Sequence, residues 1–183
     1  MAACLLALGP PVVRAQQKEN RKGVEVTIGD LKSRVPADWV EEKPSSRFRV
    51  KQFRLQPVKD DKDNAEVVIF YFGEGGGGTV QDNIKRWKAM IIPPEGKKID
   101  DVAKVEKKKI NNLSATYFDA NGTYLFKDRP FDPNAEVSRR PNYRMIKVIF
   151  ETKKGPYYLS LIGPADTVAH YKKGFDQWVE GFK

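Results

Sequence analysis

Arg129, Arg139, Arg140 and Arg144 fall close together in the chain, in a span that also holds Phe131, Asp132 and Tyr143. A guanidinium presents a planar fork of N–H donors that matches carboxylate and phosphate oxygens, and aromatic rings beside it offer stacking faces. The span from Phe126 to Tyr143 separates two strand patterns and exceeds the usual connection within a domain, and long connections of this kind are commonly functional. Pro130, Pro133 and Pro141 restrict it. The arrangement predicts a basic loop whose arginines converge on an anionic group. The competing reading is an ordered loop pinned by ion pairs such as Arg129 with Asp132.

A second candidate is Gly75-Gly76-Gly77-Gly78-Thr79, which joins an apolar strand pattern to a helix start. Backbone N–H groups and the helix dipole at such a junction can hold an anion. The run lacks the Gly-Lys-Ser/Thr ending of a phosphate-binding loop and the spacing of a dinucleotide fingerprint, so a connector is the simpler reading.

Other chemistry is poorly served. His170 is the only histidine and lies off the apolar stripe of its helix, while Cys4 is the only cysteine. A zinc site needs a cluster of such ligands, and a serine hydrolase of the nucleophile-elbow type needs Gly-x-Ser-x-Gly, which does not occur. Asp60-Asp61 and Asp100-Asp101 sit in turn-like segments where solvation and helix capping account for them. The residues predict no catalytic centre, no metal and no cofactor.

The elements that must position these groups follow from pattern. Val24 to Ile28 and Leu31 to Val35 flank Gly29-Asp30, a hairpin signal, and Trp39 after Pro36 offers a core anchor. A strand is expected over 47–55, and the wholly apolar Val67 to Phe72 indicates a strand buried on both faces. Val80, Ile84, Trp87 and Ile91 mark a helix opened by Thr79 with Asp82 and ended by Pro93-Pro94. Four strands, about 102–110, 113–126, 144–151 and 156–162, pair through turns at Asn111-Asn112 and Lys153-Lys154-Gly155, with a turn or bulge at Asp119 to Gly122. Val168, Tyr171, Phe175, Trp178, Val179 and Phe182 form the face of a closing helix with Pro164 in its first turn. Short turns imply antiparallel pairing, and helices before and after the last four strands imply an α+β fold, an α/β/α sandwich with a mostly antiparallel central sheet and two main helices.

At 183 residues, 40% hydrophobic, the chain suits one domain with a real core. Residues 1–15 read as an apolar leader with a processing site after Val13-Arg14-Ala15, although the positive start of such a leader is missing. Residues 16–23 read as a flexible lead-in and 24–183 as the single domain. Removing the leader would remove the one cysteine, so the mature domain would hold together by packing alone. No stretch approaches the roughly 20 apolar residues that span a bilayer. The net charge of +9 favours an anionic partner, either a protein or an anionic component of the envelope, although interleaved charges such as Lys59-Asp60-Asp61-Lys62-Asp63 are also what a solvated surface shows. Export argues against nucleic acid as a partner.

Particular phrases carry a resemblance. Val35-Pro36-Ala37-Asp38-Trp39, the strand Val67 to Phe72, Thr79-Val80-Gln81-Asp82-Asn83-Ile84-Lys85-Arg86-Trp87, and Tyr157 to Pro164 followed by Phe175-Asp176-Gln177-Trp178 resemble a family of uncharacterised secreted bacterial proteins of the planctomycete type. Asn121 to Leu125 and Asn142 to Met145 extend the likeness. At the level of fold the family is similar to the PsbP-like group, which includes an extrinsic photosystem II protein and a yeast Ran-binding import factor. The resemblance spans roughly 24–182. It implies a domain that works by binding rather than catalysis, in a periplasmic or extracellular setting, and it carries over no site residue.

Overall fold

A computed structural model describes residues 23–128, 132 and 134–183. The leader, the first part of the lead-in, Arg129 and Phe131 lie outside the described residues. The chain opens with the hairpin β1 (Glu25–Ile28) and β2 (Leu31–Arg34), turned by Gly29 at φ +57°. The strands β3 (Val40–Glu42), β4 (Arg49–Leu55) and β5 (Ala65–Tyr71) follow, then the helix α1 (Val80–Lys88) and the short β6 (Ile91–Ile92). A single helical turn, α2 (Ile99–Val102), leads into β7 (Ala103–Ile110), β8 (Leu113–Lys127), β9 (Val137–Thr152), β10 (Gly155–Pro164) and the closing helix α3 (Ala165–Glu180).

Among the described residues the main sheet has eight strands in the order β3-β4-β5-β10-β9-β8-β6, with β7 also on β8, and its pairs run antiparallel. The Asn111-Asn112 turn forms as expected, both residues taking the left-handed backbone that a tight hairpin requires.

Alternation along the central strands divides the apolar residues into two clusters. On one face Phe53, Val67, Ile69, Leu159, Leu161, Val148 and Phe150 meet Val168, Phe175, Trp178 and Phe182 from α3 and its end. On the other, Phe118, Met145, Ile149 and Tyr158 meet Trp87 of α1 and Ile91. Burial on both sides is why β5 and β10 read as apolar runs rather than alternating ones.

Several expectations change. The helix ending near Ile91 stops at Lys88, and Ile91-Ile92 instead pairs with Thr123-Tyr124. Its last residue precedes Pro93, where extended backbone is favoured. Pro164 closes β10 and stands at the N-cap of α3 rather than inside its first turn. The span from Phe126 to Tyr143 is not one loop: β9 begins at Val137 and pairs with β8 out to Lys127. Residues 137–142 belong to neither apolar cluster, so they show no apolar alternation and their sequence does not read as a strand. The expected irregularity at Gly122 is a bulge, with Pro141 and Asn142 facing Thr123; a proline is tolerated there because a bulge leaves an N–H without a ladder partner.

Candidate functional site

Among the described residues the arginines of the basic segment do not converge. Because β9 is extended, successive side chains point to opposite faces, and the bulge keeps Arg140 on the same side as Tyr143 while Arg139 and Arg144 lie on the other. Arg144 is committed to a bidentate pair with Asp119, its Nε and Nη2 donating at 2.8 and 2.6 Å, and this pairing raises the guanidinium above its ordinary value. Arg139 is exposed. Arg140 lies 3.9 Å over the ring of Phe126 and 5.8 Å from the ring centroid of Tyr143. Tyr143 is buried rather than offered for stacking with a ligand; it stacks on Tyr124 and its hydroxyl donates to Asp63 at 2.8 Å. Burial and then the Asp63 hydrogen bond push this phenol up to about 12, with Arg140 opposing. Asp132 organises the turn before β9, accepting from the Asn134 N–H at 2.8 Å.

In the glycine loop the side chains that reach in engage carbonyls, while the Gly76 N–H donates to the Gly73 carbonyl at 3.1 Å. Asn83 Nδ2 donates to the carbonyls of Gly77 and Thr79 at 2.8 Å each, and the Tyr158 hydroxyl reaches those of Gly76 and Gly78 at 3.4 Å. Thr79 caps α1 as its sequence signature implies, accepting from the Asp82 N–H at 3.1 Å and donating to the Asp82 carboxylate at 2.6 Å. The start of α1 therefore already holds a carboxylate of its own. Gly75, at φ +74°, has open space where a side chain would begin.

A third arrangement was not anticipated. On the α1 side of the sheet a polar row crosses the strands: Gln52 on β4, Ser160 on β10 and Lys147 on β9 occupy linked register positions through Val68, with Phe118 next on β8. An extra residue, Val50, bulges β4 and re-aims Arg49 onto this face. Arg49 Nη1 donates to Glu66 Oε1 at 2.7 Å and to Gln52 Oε1 at 2.9 Å, and Arg54 Nε donates to Glu42 Oε1 at 2.7 Å. Two cations lie near the ring of Phe70, with the Arg49 guanidinium 5.4 Å and the Lys147 ammonium 5.8 Å from its centroid. Among the described residues Lys147 makes no hydrogen bond and no ion pair. Burial lowers its ammonium to about 8; Glu66 opposes the shift, and Arg49 and Arg86 add to it. The signal in the sequence is a lysine inside the apolar run Met145-Ile146-Lys147-Val148-Ile149-Phe150, matched by Ser160 within Tyr157 to Ile162.

Among the described residues no three His, Cys, Asp or Glu side chains cluster so as to hold a metal ion. His170 is exposed, edge-on to Tyr171. A shallow groove between the first hairpin and the end of α3, lined by Lys32, Ser33, Arg34, Gln177 and Lys183, is a structural seam: Lys32 and Lys183 exchange backbone hydrogen bonds there and the Ser33 hydroxyl donates to the Trp178 carbonyl at 2.7 Å. No helix of the described residues is long and apolar enough to cross a membrane.

No family model matches the chain, and no curated protein matches it in sequence. Among solved structures it is similar to cyanobacterial PsbP (CyanoP) from Synechocystis sp. PCC 6803, with a TM-score of 0.51 at 13% identity over 95% of this chain and 99% of that one. A Pseudomonas aeruginosa protein of unknown function aligns with a TM-score of 0.46 at 12% identity, over 86% of this chain and 93% of that one. The chain has a PsbP-like, α+β fold with an antiparallel sheet, and a likeness at this identity speaks to architecture alone.

Proposed function

We propose that the chain is a non-enzymatic binding protein of an extracytoplasmic compartment, built as an α/β/α sandwich, which holds an acidic protein partner against the outer end of the β8–β9 ladder. The observation that carries this reading is Arg140. Its guanidinium is stacked on Phe126 and has no carboxylate partner among the described residues, while Arg139 beside it is exposed on the other face. A guanidinium pre-oriented on an aromatic ring loses little freedom when an incoming carboxylate takes up its N–H fork, which favours binding. The net charge of +9 supports the sign of the partner. The apolar leader and Val13-Arg14-Ala15 support export.

Replacing Arg139 and Arg140 together by alanine should abolish co-purification of the partner from the native envelope while lowering Tm by no more than a few degrees, since neither side chain is in an ion pair and only the Arg140 contacts with Phe126 and Tyr143 are lost. Retention of the same partner by the double variant excludes this surface. Binding of the purified protein to anionic lipid vesicles, with no protein co-purifying, replaces the protein partner by the membrane surface. Export is tested separately: amino-terminal sequencing of the mature protein should begin at Gln16, and a mature chain that begins at Met1 rules it out.

A further inference from the structure

The ladder's outer end does not account for Lys147. A half-buried ammonium in the middle of a sheet, with no hydrogen bond or ion pair among the described residues, costs stability that an apolar residue of similar length would not. The neighbouring polar groups do not relieve it. Glu66 is already the acceptor of Arg49, Glu42 that of Arg54, and Ser160 Oγ lies 3.4 Å from the Val68 carbonyl. Arg86 projects from α1, held through Asn83, which also pins the glycine loop. The local charges are Arg49, Arg54, Arg86 and Lys147 against Glu42 and Glu66, so the row carries an excess of positive charge. Phe70 supplies an apolar surface within reach of both Arg49 and Lys147.

We propose that Lys147, with Arg49 and Arg86, forms a binding site for a small oxyanion, the carboxylate or phosphate group of a ligand whose apolar part rests on Phe70. An oxyanion there supplies the acceptor that Lys147 lacks and is drawn by all three cations, and charge-assisted hydrogen bonds of this kind are the strong ones. The strands set the position of Lys147 and the β4 bulge that of Arg49, so the cations are largely in place before the ligand arrives. The site is distinct from the β8–β9 surface, and either can fail without the other.

The experiment is a thermal-unfolding titration of the full chain with sodium phosphate and, separately, sodium acetate, each against sodium chloride at matched ionic strength. It is accompanied by isotope-edited NMR of the lysine ε-methylene groups. Phosphate or acetate should raise Tm saturably, and the Lys147 ε-resonance should move along the same isotherm. Lys147→Met should abolish the response, and Arg86→Gln, an exposed change that leaves the fold intact, should weaken the apparent affinity several-fold. A response to phosphate alone identifies a phosphate-bearing ligand, and a response to acetate identifies a carboxylate. The proposal is overturned if neither anion exceeds the chloride control, if Lys147→Met retains the response, or if the Lys147 resonance stays still through the titration.

Discussion

At the residue scale Lys147 is the most exacting position. Its folded-state value is lowered to about 8 from the 10.5 of an unfolded chain, so between these values the unfolded state binds more protons than the native one, and stability rises with pH across that window. Below pH 8 the native state bears the full penalty. Glu66, Arg49 and Arg86 face the same ammonium; the two arginines add to the effect of burial, and Glu66 opposes it without cancelling it. Lys147→Met should therefore raise stability near neutral pH by about 2 kcal/mol, roughly 4 to 8 °C in Tm. The difference between variant and wild type should shrink as pH climbs from 8 toward 10.5, which calorimetry at several pH values checks. Gly77 is constrained differently. It has φ +88°, and a Cβ would stand 2.2 Å from the Tyr158 hydroxyl oxygen. Gly77→Ala should cost at least about 2 kcal/mol, and Gly75→Ala, strained but unobstructed, about 1 kcal/mol. Urea unfolding of the pair separates the backbone effect from the Tyr158 contact.

At the element scale the two longer helical faces and the hairpins were legible, and the single turn α2 and the outer part of the long ladder were not. Thr79 and Asp82 announce the start of α1, and the cap forms as its sequence implies; Thr79→Ala should cost about 1 kcal/mol in denaturant unfolding. The end of α1 was misplaced because Ile91 continues the helical spacing of Val80, Ile84 and Trp87, yet its burial, 4% exposed, comes from pairing beside β8. Periodicity reports that a side chain is buried without saying which element buries it. The first part of β9 failed in the opposite way. Residues 137–142 are exposed apart from the half-buried Arg140, so the apolar pattern that marks a strand is missing although the ladder continues. Arg139, Arg140 and Tyr143 were legible as a group of residues. Their division between two faces was not, because it depends on register and on a bulge.

At the scale of the whole molecule the chain's end closes its larger core. Phe182 is fully buried, packs on Phe150 and Trp178, and is held by the backbone pairing of Lys183 with Lys32. Phe182→Ala should lower stability by about 3 to 5 kcal/mol, with a single cooperative transition retained in denaturant unfolding, because the sheet carries apolar clusters on both faces. Such a loss would also separate stability from binding: the Arg139 and Arg140 surface is remote from this core, and its variants should lower Tm far less than Phe182→Ala does.

The sequence by itself determined the class of fold, the two long helical faces, the central apolar strands, the hairpin turns and the cap of α1, because each is encoded by neighbours within a few positions. Tertiary structure alone decided the strand order, the two faces onto which the arginines divide, the pinning of the glycine loop through its carbonyls, and the polar row around Lys147. These depend on residues far apart in the chain: the β4 bulge brings Arg49 to Glu66, and the β8–β9 register sets Lys147 beside Phe118. A lone lysine within an apolar strand marked the place, but only the fold could supply the cations around it.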